Sequence, residues 1–137
     1  MKKFKLLSHT ADIRLLLEAS THEELFEVAV LGMNEVMKKG GCVKCKNTIN
    51  KTLSLTSVDI TSLLVDFMSE VLTLSYEEVA LYCEFEILKL DETSLTATIK
   101  GCSIDSFDTD VKAVTYHEAD VKKSKLRNWE TVIIFDV

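Results

Sequence analysis

The sequence predicts an α+β domain: a two-layer sandwich, mainly antiparallel sheet, with two helices packed on one face. Three observations lead there. Two amphipathic helical patterns occur, both in the first part of the chain. Period-2 strand patterns precede and separate them, then run in unbroken series to the end. Short polar turns between those last strands favour antiparallel pairing. A doubly wound fold would need strands and helices alternating throughout.

In chain order, Ala11, Ile13, Leu15 and Leu17 alternate with Asp12, Arg14 and Glu18, which reads as a strand. Thr21-His22-Glu23-Glu24 has the form of a capping box: the Thr21 hydroxyl accepts from a free amide while Glu24 reaches back. Leu25, Phe26, Ala29, Val30, Met33 and Met37 then recur at helical spacing, and Gly40-Gly41 ends that helix. Residues 48–56 alternate Ile49, Leu53 and Leu55 with polar partners, a second strand. Asp59 suits an N-cap for a second, strongly apolar helix built on Ile60, Leu63, Leu64, Phe67, Met68, Val71 and Leu72. Further strands are expected at 81–90, 94–99, 111–121 and 130–137, with a hairpin turn at Asp91-Glu92 and a polar connection over 122–128. Nothing marks a domain boundary, so 1–137 is expected to be one domain, large enough for a core without staples.

The formal net charge of −6 opposes free binding to phosphate backbones, which needs a basic footprint. No apolar run reaches the roughly 18 residues that span a bilayer, and Lys2, Lys3 and Lys5 are not followed by a signal-peptide core. A cytoplasmic protein without a membrane partner is expected. With four glycines and no G-x-x-x-x-G-K, nucleotide binding by this chain alone is not expected.

Cys42-Val43-Lys44-Cys45 is a C-x-x-C in a helix-to-strand loop. Zinc wants a second such pair or closely spaced His/Cys, and a redox motif wants the pair opening a helix. Both are missing from the sequence pattern, so Cys42 and Cys45 read as inert, solvent-facing thiols. Cys83 and Cys102 fall on strand patterns as small core fillers.

His9, Asp12 and His117 are the residues that could serve acid–base chemistry, but no convincing nucleophile accompanies them. Asp66 and Glu70 share a helix face, and Asp105, Asp108 and Asp110 read as a solvated acidic loop that lacks the calcium-loop pattern. Asp12 and Asp136 differ, because each stands inside an apolar strand run where an ionised group is costly without compensation. If the first and last strands are neighbours, these carboxylates converge with the terminal carboxylate of Val137. That makes either a hard, oxygen-rich cation site or a hydrogen-bonded carboxylate pair.

Four blocks in register extend this reading. His9-Thr10-Ala11-Asp12-Ile13 resembles the N-terminal motif of the archease family. Leu63-Leu64-Val65-Asp66-Phe67, with Glu70 and Leu72, is similar to that family's second-helix signature. Val111-Lys112-Ala113-Val114-Thr115-Tyr116-His117 resembles its most distinctive strand, and Trp129 with Ile134-Phe135-Asp136-Val137 its C-terminal end. Archeases are cofactor proteins of RtcB-type RNA ligases, which join tRNA halves during splicing. The resemblance therefore implies a non-enzyme that promotes guanylylation and multiple turnover of such a ligase and meets RNA only through it. It also implies a divalent cation of the calcium kind, held by Asp12, Asp136 and an oxygen of Val137. The same blocks bring His9, Asp66, Lys112 and His117 forward as candidate functional residues. Two other classes remain open: a small metal-dependent hydrolase using His9, Asp12 and His117, and a chaperone-like module suggested by the apolar, Met-containing helices. Oligomeric state is not legible.

Overall fold

The structure is a computed structural model that describes residues 1–7 and 12–137. Its elements in chain order are β1 (Lys2–Leu7), β2 (Asp12–Ala19), α1 (His22–Met37), β3 (Ile49–Thr56), α2 (Ile60–Glu78), β4 (Ala80–Leu90), β5 (Ser94–Ser103), β6 (Ala113–Thr115), β7 (Lys122–Lys123) and β8 (Trp129–Asp136). The α+β class stands as expected, and every strand pair is antiparallel.

The strands divide into two sheets. One has the order β1-β2-β8-β6, with β7 also pairing β8; the other is β3-β5-β4. Helix α1 packs on β1, β2 and β8 of the first sheet and on β4 of the second, while α2 packs on β6 and on β3, β4 and β5. Both helices thus touch both sheets, and their apolar residues close one continuous core. Leu15, Leu17, Ile133 and Phe135 enter it from the first sheet, Leu95, Ala97 and Ile99 from the second. Phe26 of α1 stacks on Phe67 of α2 at 5.8 Å between ring centroids. Met33, Met37 and Met68 are fully buried here, so the methionines that suggested a client-binding surface belong to the core.

The local signals hold in detail. The Thr21 hydroxyl accepts from the Glu24 amide at 3.1 Å, and the Glu24 carboxylate meets the Thr21 hydroxyl itself. Asp59 caps α2 by accepting from the Ser62 amide at 2.7 Å. Asp91 makes the hairpin turn by accepting from the amides of Thr93 and Ser94 and from both hydroxyls, which holds its carboxyl below the usual range. Asp105, Asp108 and Asp110 are exposed, as a solvated acidic loop should be.

One strand is additional to those expected, and two expectations need correction. Lys2–Leu7 is a strand whose lysines hide its period; it forms an edge, where lysine deters pairing with other chains. The strand expected over 111–121 is broken. β6 and β7 lie along the same side of β8, but from Thr115 to Lys122 the edge chain is longer than the stretch Ile134 to Glu130 it faces. The excess is looped out after Thr115, with a turn from the Tyr116 carbonyl to the Ala119 amide and Glu118 at φ +64°. The stretch over 122–128 is not wholly a connection, since Lys122–Lys123 pairs with β8.

The approach to β6 is fixed by one side chain. The Tyr76 hydroxyl of α2 accepts from the Val111 amide at 2.7 Å and donates to the Val111 carbonyl at 2.9 Å. Val111 is fully buried, so Tyr76→Phe strands both backbone groups away from water. The expected loss is about 1–3 kcal/mol, read from urea unfolding.

A second prediction follows from the start of α1. The His22 ring lies 4.1 Å from that of Trp129, and its Nε2 is buried without a hydrogen-bond partner. Burial pushes the His22 pKa below its ordinary 6.5, with Lys123 in the same direction and Glu23 and Glu92 opposing. The unfolded chain therefore binds the proton more readily. This group's contribution is complete above pH 6.5 and declines as the pH falls from there toward the folded value. Urea midpoints measured from pH 7.5 to 5 should fall on acidification, and His22→Phe should flatten that slope.

Candidate functional site

The site is built from β2, β8 and β6. In β2 and β8 alternate residues enter the core, which leaves Asp12, Arg14, Asp136 and Ile134 facing away from it. The register sets Asp12 directly opposite Asp136 and Arg14 opposite Ile134. On the other side of β8, Ala113 faces Asp136, and the Lys112 amide donates to the Asp136 carbonyl at 2.7 Å. Two carboxylates thus share one face at the same level of one strand pair. Directly opposed side chains have Cβ atoms about 5 Å apart, and like charges there destabilise the pairing unless something cationic lies between them. Asp136 and Val137 are exposed, so solvent and ions reach this end of the sheet. The donor set fits a hard cation: two carboxylate oxygens, with Val137 next in sequence to supply another oxygen.

The looped-out segment after β6 stands beside this pair and is anchored twice. The Tyr116 hydroxyl donates to the Asp66 carboxylate of α2, a contact that pushes the tyrosine pKa up. Glu118 pairs with Arg14 of β2 at 3.1 Å. His117, between them, is exposed. Asp66 is therefore a positioning residue for the segment that carries His117. Lys112 contributes its backbone to the Asp136 strand end while its side chain is exposed. His9, Thr10 and Ala11 of the motif lie outside the described residues.

The sequence reading did not single out Tyr116, Arg14 or Glu118. The alternation that made 111–121 look like a continuous strand concealed the turn that aims Tyr116 and Glu118 at their partners. The cysteines also differ from expectation. Cys42 pairs with Cys83 and Cys45 with Cys102 as disulfides, so they are neither loop thiols nor core fillers. Register explains it: on the paired strands β4 and β5, Leu81 faces Cys102 and Tyr82 faces Gly101. A shift in the ladder between Tyr82 and Glu84 re-aims Cys83. Linear spacing shows none of this.

The fold recurs in known proteins. The archease protein family (MTH1598/TM1083) matches residues 4–137. This chain belongs to the archease family. Among archease relatives, the protein archease of Methanosarcina mazei is 32% identical over 99% of this chain and 97% of its own length. That of Methanothermobacter thermautotrophicus is 34% identical over 88% and 89% of the two chains. The solution structure of Methanobacterium thermoautotrophicum protein 1598 superposes with a TM-score of 0.79 at 28% identity, covering 98% of each chain. The fold is also that of a Thermotoga maritima protein described as an archease, possible chaperone, with a TM-score of 0.66 at 21% identity and 97% and 96% coverage. The archease fold is thus present over nearly the whole of this chain.

Proposed function

We propose that this archease is an accessory protein that activates an RtcB-type tRNA-splicing RNA ligase, with a divalent cation of the calcium kind held by Asp12, Asp136 and Val137. The observation that carries the reading is the register of β2 on β8, which sets Asp12 opposite Asp136 within a chain of this family. The cation relieves the repulsion between those carboxylates and fixes the end of the strand pair. The segment with His117, tied to Asp66 through Tyr116 and to β2 through Glu118, then offers an exposed, anchored surface beside it. The ligase keeps the covalent chemistry. This chain promotes attachment of GMP to the ligase and so supports repeated turnover. A net charge of −6 accords with contact to RNA only through the ligase, and a cytoplasmic location accords with that partner.

The test is ligase guanylylation from labelled GTP, with and without this chain, followed by ligation with RNA in excess. Added archease should accelerate guanylylation and raise product above one equivalent per ligase, while the chain alone does neither. Equal rates with and without it, using folded protein, would reject the proposal. Turnover of a substrate by the chain alone would favour the hydrolase reading, and suppressed aggregation of unrelated clients the chaperone one.

A further inference from the structure

The four cysteines converge although three separate segments supply them. Cys42 and Cys45 come from the loop after α1, Cys83 from β4 and Cys102 from β5. The two bridges lie side by side: the sulfurs of Cys45, Cys83 and Cys102 are all within 4.8 Å of one another, and Cys42 is bonded to Cys83. Among the described residues, Cys45, Cys83 and Cys102 are the metal-ligating side chains within common reach of one ion, and Cys42 joins them through its bond to Cys83. We infer that, once reduced, Cys42, Cys45, Cys83 and Cys102 bind one zinc ion in a tetrahedral four-thiolate site, separate from the Asp12/Asp136 end of the molecule.

Several features suit zinc. A zinc–sulfur bond of about 2.3 Å sets tetrahedral sulfurs roughly 3.8 Å apart. The sulfurs of Cys45, Cys83 and Cys102 already lie within 4.8 Å of one another, and reduction lets the two bonded pairs open to that spacing. The Cys45 amide donates to the Cys42 carbonyl at 3.3 Å, a tight turn that carries both C-x-x-C side chains. Asn47 follows in the left-handed region at φ +49°, turning the chain away toward β3. The buried Asn34 amide nitrogen donates to the Tyr82 carbonyl at 2.8 Å and lies 3.5 Å from the Cys42 sulfur, as a donor to a metal-bound thiolate would. Lys44 and Lys46 line the surface beside Cys102 and offset the charge of four thiolates around one dication.

The chemistry balances with a dithiol reductant. Each disulfide takes two electrons and two protons from one dithiol, which leaves as its own disulfide. The four resulting thiols release four protons as they bind one Zn²⁺, giving a unit of net charge −2. In a compartment poised by cellular thiols the zinc form predominates; under oxidation the bridges seen here replace it. Either state ties the end of α1 to β4 and β5, so the junction stays closed across the redox change.

The test uses the whole chain, reduced with a dithiol reductant under anaerobic conditions, freed of reductant, and titrated with Co²⁺ and then Zn²⁺. Expected are saturation at one equivalent, the intense visible and near-ultraviolet bands of four-sulfur tetrahedral cobalt, and displacement of cobalt by zinc. Cys102→Ser and Cys45→Ser should each weaken zinc binding by about 100-fold or more, with folding followed by circular dichroism. Asp12→Ala/Asp136→Ala should leave zinc uptake unchanged, and that control separates this site from the carboxylate pair. A reduced, folded wild-type chain that takes up no zinc would overturn the proposal even if the cysteine variants fail to fold. Equal uptake by the oxidised chain, or a cobalt spectrum without sulfur-to-metal bands, would overturn it too.

Discussion

Asp12→Ala and Asp136→Ala should each lower the affinity for a calcium-class cation by an order of magnitude or more while leaving the fold intact. Each removes one of two carboxylates facing one another across β2 and β8, and the remaining charge compensates a divalent ion less well. The fold should survive because the substitution also removes repulsion between like charges at one level of the ladder. The unfolding midpoint gained on adding cation should shrink in both variants. Calorimetric affinity and ligase guanylylation, measured on the same preparations, connect the site to the activity. A folded double variant that activates the ligase as well as wild type would separate the cation from function.

The second large effect is expected at Gly101. This residue faces Tyr82 across β4 and β5, beside the ladder shift that re-aims Cys83. A Cβ built there would collide with the Leu81 carbonyl oxygen and lie 2.9 Å from its carbonyl carbon. Both are backbone atoms of a paired strand, so no rotamer change relieves the clash. Gly101→Ala must therefore push the two strands apart. The expected cost is about 3 kcal/mol, or roughly 10 °C in Tm. It should also displace the neighbouring Cys102 and slow re-formation of its bridge to Cys45 after reduction. A Gly101→Ala protein with wild-type stability would mean that the strands do not approach as closely as described.

These two positions show how unevenly the sequence reveals the structure. Asp12 and Asp136 were legible because a charged residue in an apolar alternation breaks a local pattern. Their meeting was foreseen as neighbouring strands, and the register confirms it. Both helices and their caps were legible for the same local reason, since Thr21 and Asp59 act within three residues of themselves. Gly101 and the cysteines were not, because their significance depends on which strand lies opposite, and pairing between distant strands leaves no periodicity. Tyr116 was hidden differently: an alternating sequence ran through a segment whose partner strand is too short for it. The division into two sheets is also a matter of pairing alone.

The order β1-β2-β8-β6 has a consequence for how the chain is made. β8, last in chain order, lies in the interior of its sheet, whereas β3, β5 and β4 come from one contiguous half of the chain. During synthesis on the ribosome, the three-stranded sheet and both helices can assemble once β5 has emerged. β1 and β2 must wait as a hairpin, with the β2 edge open, until almost the whole chain has been translated. Loop-closure entropy across that separation makes docking of β8 the expected slow step. In the interval the exposed β2 edge and the apolar residues awaiting Ile133 and Phe135 are the parts of the nascent chain most prone to mispairing. The Asp12–Asp136 pair forms only when that last strand is seated, so the proposed cation site is completed by the final step of folding.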